Sequence, residues 1–159
     1  MTPTHEAALN SARDSFGVLK DLLKGLPDAA VAYAPIAGSN SLAILSAHSI
    51  VASRYLFSCG SGAPRSFTAY RAGERAASFE STSATVASLE AAIDAALAEF
   101  ETILGGGRDA HLPEIISWPG EEGAPTRSGA LCLVHACAHL REHVGQAELT
   151  RDLWLARQS

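Results

Sequence analysis

Four stretches of this chain repeat their apolar residues at intervals of three and four, and clusters of Gly and Pro separate them. Leu9, Ala12, Phe16, Leu19, Leu23 and Leu26 mark the first, and Val86, Leu89, Ile93, Leu97, Phe100 and Leu104 the third. That spacing fits the turn of an α-helix rather than the alternation of a strand. Thr2 and Pro3 read as a cap and a first-turn proline, and Gly25 and Pro27 end the first helix. The second helix is expected to be capped by Ser39 or Asn40 and to stop after about Cys59, at Gly60, Gly62 and Pro64. The third closes at Gly105, Gly106 and Gly107, and the fourth runs from near 126–128 to about Leu155. The expectation is an all-α chain, a four-helix bundle in one domain over residues 1–159, able to bury roughly 70% of its unfolded surface.

Two connections are longer than the few residues usual between packed helices. The link 65–83 is long enough to carry the chain from one end of the bundle to the other. The link 106–125 holds His111, Ile115, Ile116 and Trp118; it either folds over the mouth of a site or packs as a plain surface loop.

The chemistry concentrates in the last helix, where His135, His139 and His143 recur every four residues. A four-residue step displaces side chains by only ~40°, so His139 and His143 project side by side and can grip one transition-metal ion. Their face also carries Cys132, Ala136, Ala147, Leu153 and Trp154, while Arg141, Glu148 and Asp152 lie nearly opposite, so the pair is expected to point inward. Buried imidazoles need polar partners, and a metal would satisfy both. For a third ligand, His48 sits among Ile44, Leu45, Val51, Ala52 and Tyr55 on an inward helix face; His5 is expected to be exposed, and His111 lies in a loop. His48, His139 and His143 make the best set.

Around them, Gln146 lies ~20° from His139 and one turn beyond His143, placed to hydrogen-bond a ligand or to satisfy a helix end. Glu142, ~60° to one side, is either a base at the site or a solvated surface charge. His135, ~80° from His143, reads as a neighbour rather than a ligand. Tyr55 faces the same interior. Cys132 lies on the histidine face but is more simply a small buried hydrophobe.

The stretches Asn40-Ser-Leu-Ala-Ile-Leu-Ser-Ala-His48 and His135-Ala-Cys-Ala-His-Leu-Arg-Glu-His-Val-Gly-Gln146 resemble the DinB/YfiT-like superfamily. The resemblance covers the whole chain in length and helix order, and its second motif is the more specific. It implies a bundle in up-down-down-up order with a long crossover between helices two and three, and a divalent metal on His48, His139 and His143. It also implies kinship with thiol-cofactor-dependent transferases and isomerases, and leans towards a homodimer. Ile50 and Phe57, a heptad apart on the side opposite His48, give helix two a second apolar face for such a contact or for a neighbouring helix within the chain.

Composition narrows the partners. A net charge of −5 with scattered cations argues against nucleic acid, and no apolar run approaches the ~20 residues of a membrane span. No basic-then-apolar leader opens the sequence, and Cys59, Cys132 and Cys137 form no disulfide framework, so a cytoplasmic protein acting on a small molecule is expected.

Three histidine nitrogens leave a position for water or an anionic substrate atom, with zinc or nickel the expected ion. Such a metal could activate a low-molecular-weight thiol for transfer or isomerisation, with Arg65, Tyr70, Arg71 and Arg75 as a docking surface for the cofactor and Arg71 foremost. It could instead activate water for hydrolysis with Glu142 as base. The run His139-Leu-Arg-Glu-His143 also fits the inverted zinc-protease pattern, but those enzymes need a larger domain around a substrate cleft. A site that binds metal or ligand without turnover is the third reading.

Overall fold

The computed structural model describes every residue except 119, 120, 122, 123, 125 and 159. The chain is mostly helical: α1 (Pro3–Leu23), α2 (Asp28–Val31), α3 (Leu42–Gly60), α4 (Phe67–Ala69), α5 (Ala76–Ser78), α6 (Val86–Gly105) and α7 (Gly129–Ala156). A two-residue antiparallel ladder joins β1 (Ile115–Ile116) to β2 (Arg127–Ser128), pairing Ile115 with Ser128 and Ile116 with Arg127. The four long helices are those expected. Thr85 and Ser88 exchange hydrogen bonds in a capping box, and the Ser128 hydroxyl accepts from the Leu131 N–H.

Two caps differ from expectation. Ser41, not Ser39 or Asn40, caps α3 by accepting from the Ile44 N–H, while Ser39 turns back to the Ile36 carbonyl. Thr2 precedes α1 but makes no cap bond; its hydroxyl donates to Asp109 and meets the ring of His5. His5 itself is fully buried, against the expectation of exposure. Its Nε2 lies 3.3 Å from the Gly60 carbonyl oxygen, and a Cβ on Gly107 would collide with its ring. A first-turn residue is exposed only if nothing docks on that end of the helix, and here the ends of α3 and α6 both do.

Phe16, Phe57 and Phe100 fill the centre, with the Phe57 and Phe100 rings edge to face at 5.2 Å. Phe57 is fully buried and Ile50 nearly so; the second apolar face of α3 is therefore used inside the chain. Exposed pairs Lys20–Asp94 and Arg13–Glu101 link α1 to α6 with numbers that rise on one helix as they fall on the other, so these two run antiparallel. The α3–α7 pair is antiparallel as well: His48 meets His139 and His143, and Gly60 lies against Leu133.

The two long links are ordered by what they cover. Residues 67–78 form a continuous helical strap in which Tyr70–Arg75 widens into a π-helix. By length and composition α3 could cross a membrane, which the sequence pattern did not announce, yet 78% of its apolar window is buried inside the fold, as in a core helix.

Candidate metal centre

The antiparallel pair α3 and α7 brings three histidines to one point. The ring centroids of His48 and His139 are 5.2 Å apart, those of His48 and His143 5.1 Å, and those of His139 and His143 4.3 Å. One ring nitrogen from each lies within 4.8 Å of the others, and this group could hold a metal ion. Nε2 of His139 and Nε2 of His143 are 3.2 Å apart. Two nitrogens at the usual bond length from one tetrahedral ion would be about 3.3 Å apart, so this spacing already suits a shared ion.

Neighbours decide which nitrogen each ring presents. The Ser78 hydroxyl donates to the Arg75 carbonyl, so it accepts from His48 Nδ1–H at 3.2 Å and leaves Nε2 free. Gln146 Oε1 accepts from His143 Nδ1–H at 2.8 Å, with the same result. His139 Nδ1 is buried without a hydrogen-bond partner among the described residues. Burial, followed by the neighbouring histidines and Arg75, holds His48 at about 4; burial, His143, His135 and Arg75 hold His139 at about 4. Both are therefore neutral at physiological pH, the form a metal needs.

In metal-free protein both folded values lie below the ~6.5 of a free imidazole. Between pH ~6.5 and ~4 the unfolded chain takes up protons that the folded chain refuses, so acid removes stability across that window. The urea midpoint should be flat just above pH ~6.5 and fall below it, and a His48→Gln/His139→Gln variant should fall less steeply. A midpoint whose acid slope is unchanged in the double variant would contradict the assigned burial.

Beside the histidines opens a cavity of about 180 Å³. His48 and His139 line it together with Tyr55, Tyr70 and Trp118, and with Arg71, Arg75, Arg127, Cys132 and His135. Tyr55 and Tyr70 stack at 4.1 Å, and Trp118 donates its Nε1–H to the Arg65 carbonyl at 2.8 Å. The π turn matters here. In an α-helix Tyr70 and Arg75 would be ~140° apart, whereas a wider turn brings residues five apart towards one side. The ladder between β1 and β2 delivers Arg127 to the same cavity.

The structure thus draws His48, His139, His143 and Gln146 together, and places Arg71, Tyr70, Arg75 and Tyr55 around the adjoining cavity. His135 lies next to His139, 5.7 Å between ring centroids, outside the three-nitrogen group. Glu142 is exposed and does not line the cavity. Arg65 does not line it either; its guanidinium pairs with Glu74. His111 packs beside Gly62, away from the centre. Leu153, placed by the helical wheel on the inward face, is 41% exposed, whereas Trp154 beside it is half-buried and meets the Tyr33 ring at 5.3 Å. The three cysteines are free, and burial raises the Cys137 thiol. Ser78, Arg127 and Phe79, whose ring lies 4.6 Å from that of His48, are not foreseen from sequence; nothing periodic marks them.

Residues 13–147 match the DinB superfamily, a stretch that includes all three histidines. Among curated proteins none matches the sequence. Among solved structures the chain is similar to the crystal structure of a conserved protein from Enterococcus faecalis, at 16% identity and a TM-score of 0.73, with 98% of this chain and 99% of that one covered. At that identity the likeness concerns the fold.

Proposed function

The chain belongs to the DinB superfamily, and from that premise we propose that it is a divalent-metal-dependent enzyme, a thiol-dependent transferase or isomerase. The observation that carries this reading is the convergence of three histidines beside a cationic, aromatic cavity that two of them, His48 and His139, line. His48, His139 and His143 would hold zinc or nickel, and a bound ion would supply the charge that lets a thiol shed its proton near neutral pH. Ser78 and Gln146 hold two of the rings in the tautomer that turns Nε2 inward. Arg71 and Tyr70, on the strap, line the cavity together with Trp118 and Phe67.

The same reading takes the four long helices as an up-down-down-up bundle. His5 against Gly60 makes α1 antiparallel to α3, and α1 is also antiparallel to α6, so α3 and α6 run the same way with the strap as crossover. A homodimer and a cytoplasmic setting belong to this proposal through the family resemblance alone.

Hydrolysis is the weaker reading, since its base would be Glu142, which faces solvent. The test is turnover of chlorinated aromatic electrophiles by metal-loaded protein, with and without low-molecular-weight thiols. The expected result is turnover that requires thiol, survives Glu142→Gln and drops about ten-fold or more in Arg71→Ala. Turnover that ignores thiol and collapses in Glu142→Gln would overturn it in favour of a hydrolase.

A further inference from the structure

Net charge is −5, with 12 Lys and Arg against 17 Asp and Glu, yet three guanidinium groups converge on the cavity and no carboxylate among the described residues lines it. Arg71, Arg75 and Arg127 make no ion pair among the described residues, whereas Arg54 and Arg65 both pair with Glu74 nearby. Aromatic rings hold two of the three: Arg75 lies 4.9 Å from the centre of the Phe79 ring and Arg71 5.7 Å from that of Phe67. Such contacts fix a guanidinium without neutralising it and leave its N–H fork free for an oxyanion. Arg75 and Arg127 are half-buried, and Arg71 stands exposed at the rim. Three like charges around one half-enclosed space repel one another, a cost that an anion between them would remove.

The remaining wall is aromatic. Tyr55 stacks on Tyr70 at 4.1 Å and lies 6.1 Å from Trp118, and its hydroxyl is buried beside the Cys59 thiol. Volume decides how large the guest is. A cavity of about 150 Å³ accepts a benzene ring, and this one measures about 180 Å³. One six-membered ring with a carboxylate fits; a peptide-sized thiol does not fit inside.

We propose that this cavity is the seat of a small aryl carboxylate, its oxyanion on Arg75 and Arg127 with Arg71 at the entrance, and its ring against the aromatic wall of Tyr70, Tyr55 and Trp118. As an assignment of substrate class it rests on the catalytic reading above: the acceptor is an aryl chloride that carries the carboxylate. The thiolate sulfur bonds to the ring carbon, the carbon–chlorine bond breaks and chloride leaves with its electron pair, the thiol proton going to solvent. The anion seat itself stands without metal.

The test uses benzoate as probe on the full chain. Calorimetry is run on metal-free and metal-loaded protein, with Trp118 fluorescence followed in a Trp154→Phe background. Benzoate is expected to bind once per chain in both forms. The neutral isostere benzamide should bind about ten-fold or more weakly to wild type, a comparison that needs no substitution in the cavity. Arg127→Gln and Arg75→Gln should each lose a similar factor, and Arg127→Lys should recover part of it. Equal binding of benzoate and benzamide, or benzoate affinity untouched by both glutamine variants, would overturn the proposal. Glutathione, a carboxylated thiol, distinguishes the two possible owners of the carboxylate. If it displaces benzoate from metal-free protein, the arginines serve the thiol and the substrate assignment falls; if benzoate stays bound, the assignment holds. A chain that binds benzoate but takes up no metal would keep the anion seat and sink the metal-dependent reading alone.

Discussion

Replacing His139 by alanine will empty the metal centre. Protein purified without an affinity tag is expected to carry close to one divalent ion per chain, and His139→Ala and His48→Ala to carry almost none after dialysis. A four-ligand zinc site is worth ~10–16 kcal/mol, so each ligand accounts for about 3 kcal/mol, or about 100-fold in affinity. The structure predicts a graded series beyond that. Gln146 holds the tautomer of His143 at 2.8 Å, so Gln146→Ala should weaken binding by about ten-fold rather than abolish it. His135 lies outside the three-nitrogen group and His111 packs against Gly62, so alanine at either should leave the ion in place. Loss of metal in His135→Ala with retention in His48→Ala would reverse the ligand assignment.

The second large effect is on stability. Gly129→Ala should lower it by about 3 kcal/mol, or roughly 6–12 °C in Tm, whereas Gly145→Ala should raise it by up to about 1 kcal/mol. Both glycines lie in α7, and their surroundings differ. A Cβ on Gly129 would run into the His111 carbonyl group, which is backbone and cannot swing aside. The segment cannot slide either, because Gly129 N–H donates to the Glu114 carbonyl at 3.0 Å and Ala130 N–H to the Leu112 carbonyl at 2.9 Å. Gly145 is exposed, and a methyl added there would meet nothing within 4 Å, so alanine contributes only helix propensity. Thermal melts of both variants check the pair, and a Gly129→Ala melt equal to wild type would show that the link yields.

The helices and the three histidines were legible because a single period controls both. Apolar residues and ligands on one helix must share a face, so the spacing of His139 and His143 and the burial of Ala136 and Ala147 carry one message. What the sequence hid depends on contacts between elements. His5 is buried by the ends of α3 and α6, and Thr2 is drawn off its capping role by Asp109. The link 65–83 has no long amphipathic period, yet it docks on α3 as short helical turns, and Ser78 thereby reaches His48. Arg127 comes to the cavity through a two-residue ladder that no pattern announces. Phe57 illustrates the reverse: the wheel found its face correctly, but only the packing against Phe100 shows that the face is spent inside the chain.

That one ion sits among His48, His139 and His143 is tested most directly by X-ray absorption at the metal edge of loaded protein. The expected spectrum shows three imidazole nitrogens at about 2.0–2.1 Å and a further light atom, with no sulfur scatterer. Fewer than three imidazoles, or a sulfur at about 2.3 Å from Cys132, would contradict it.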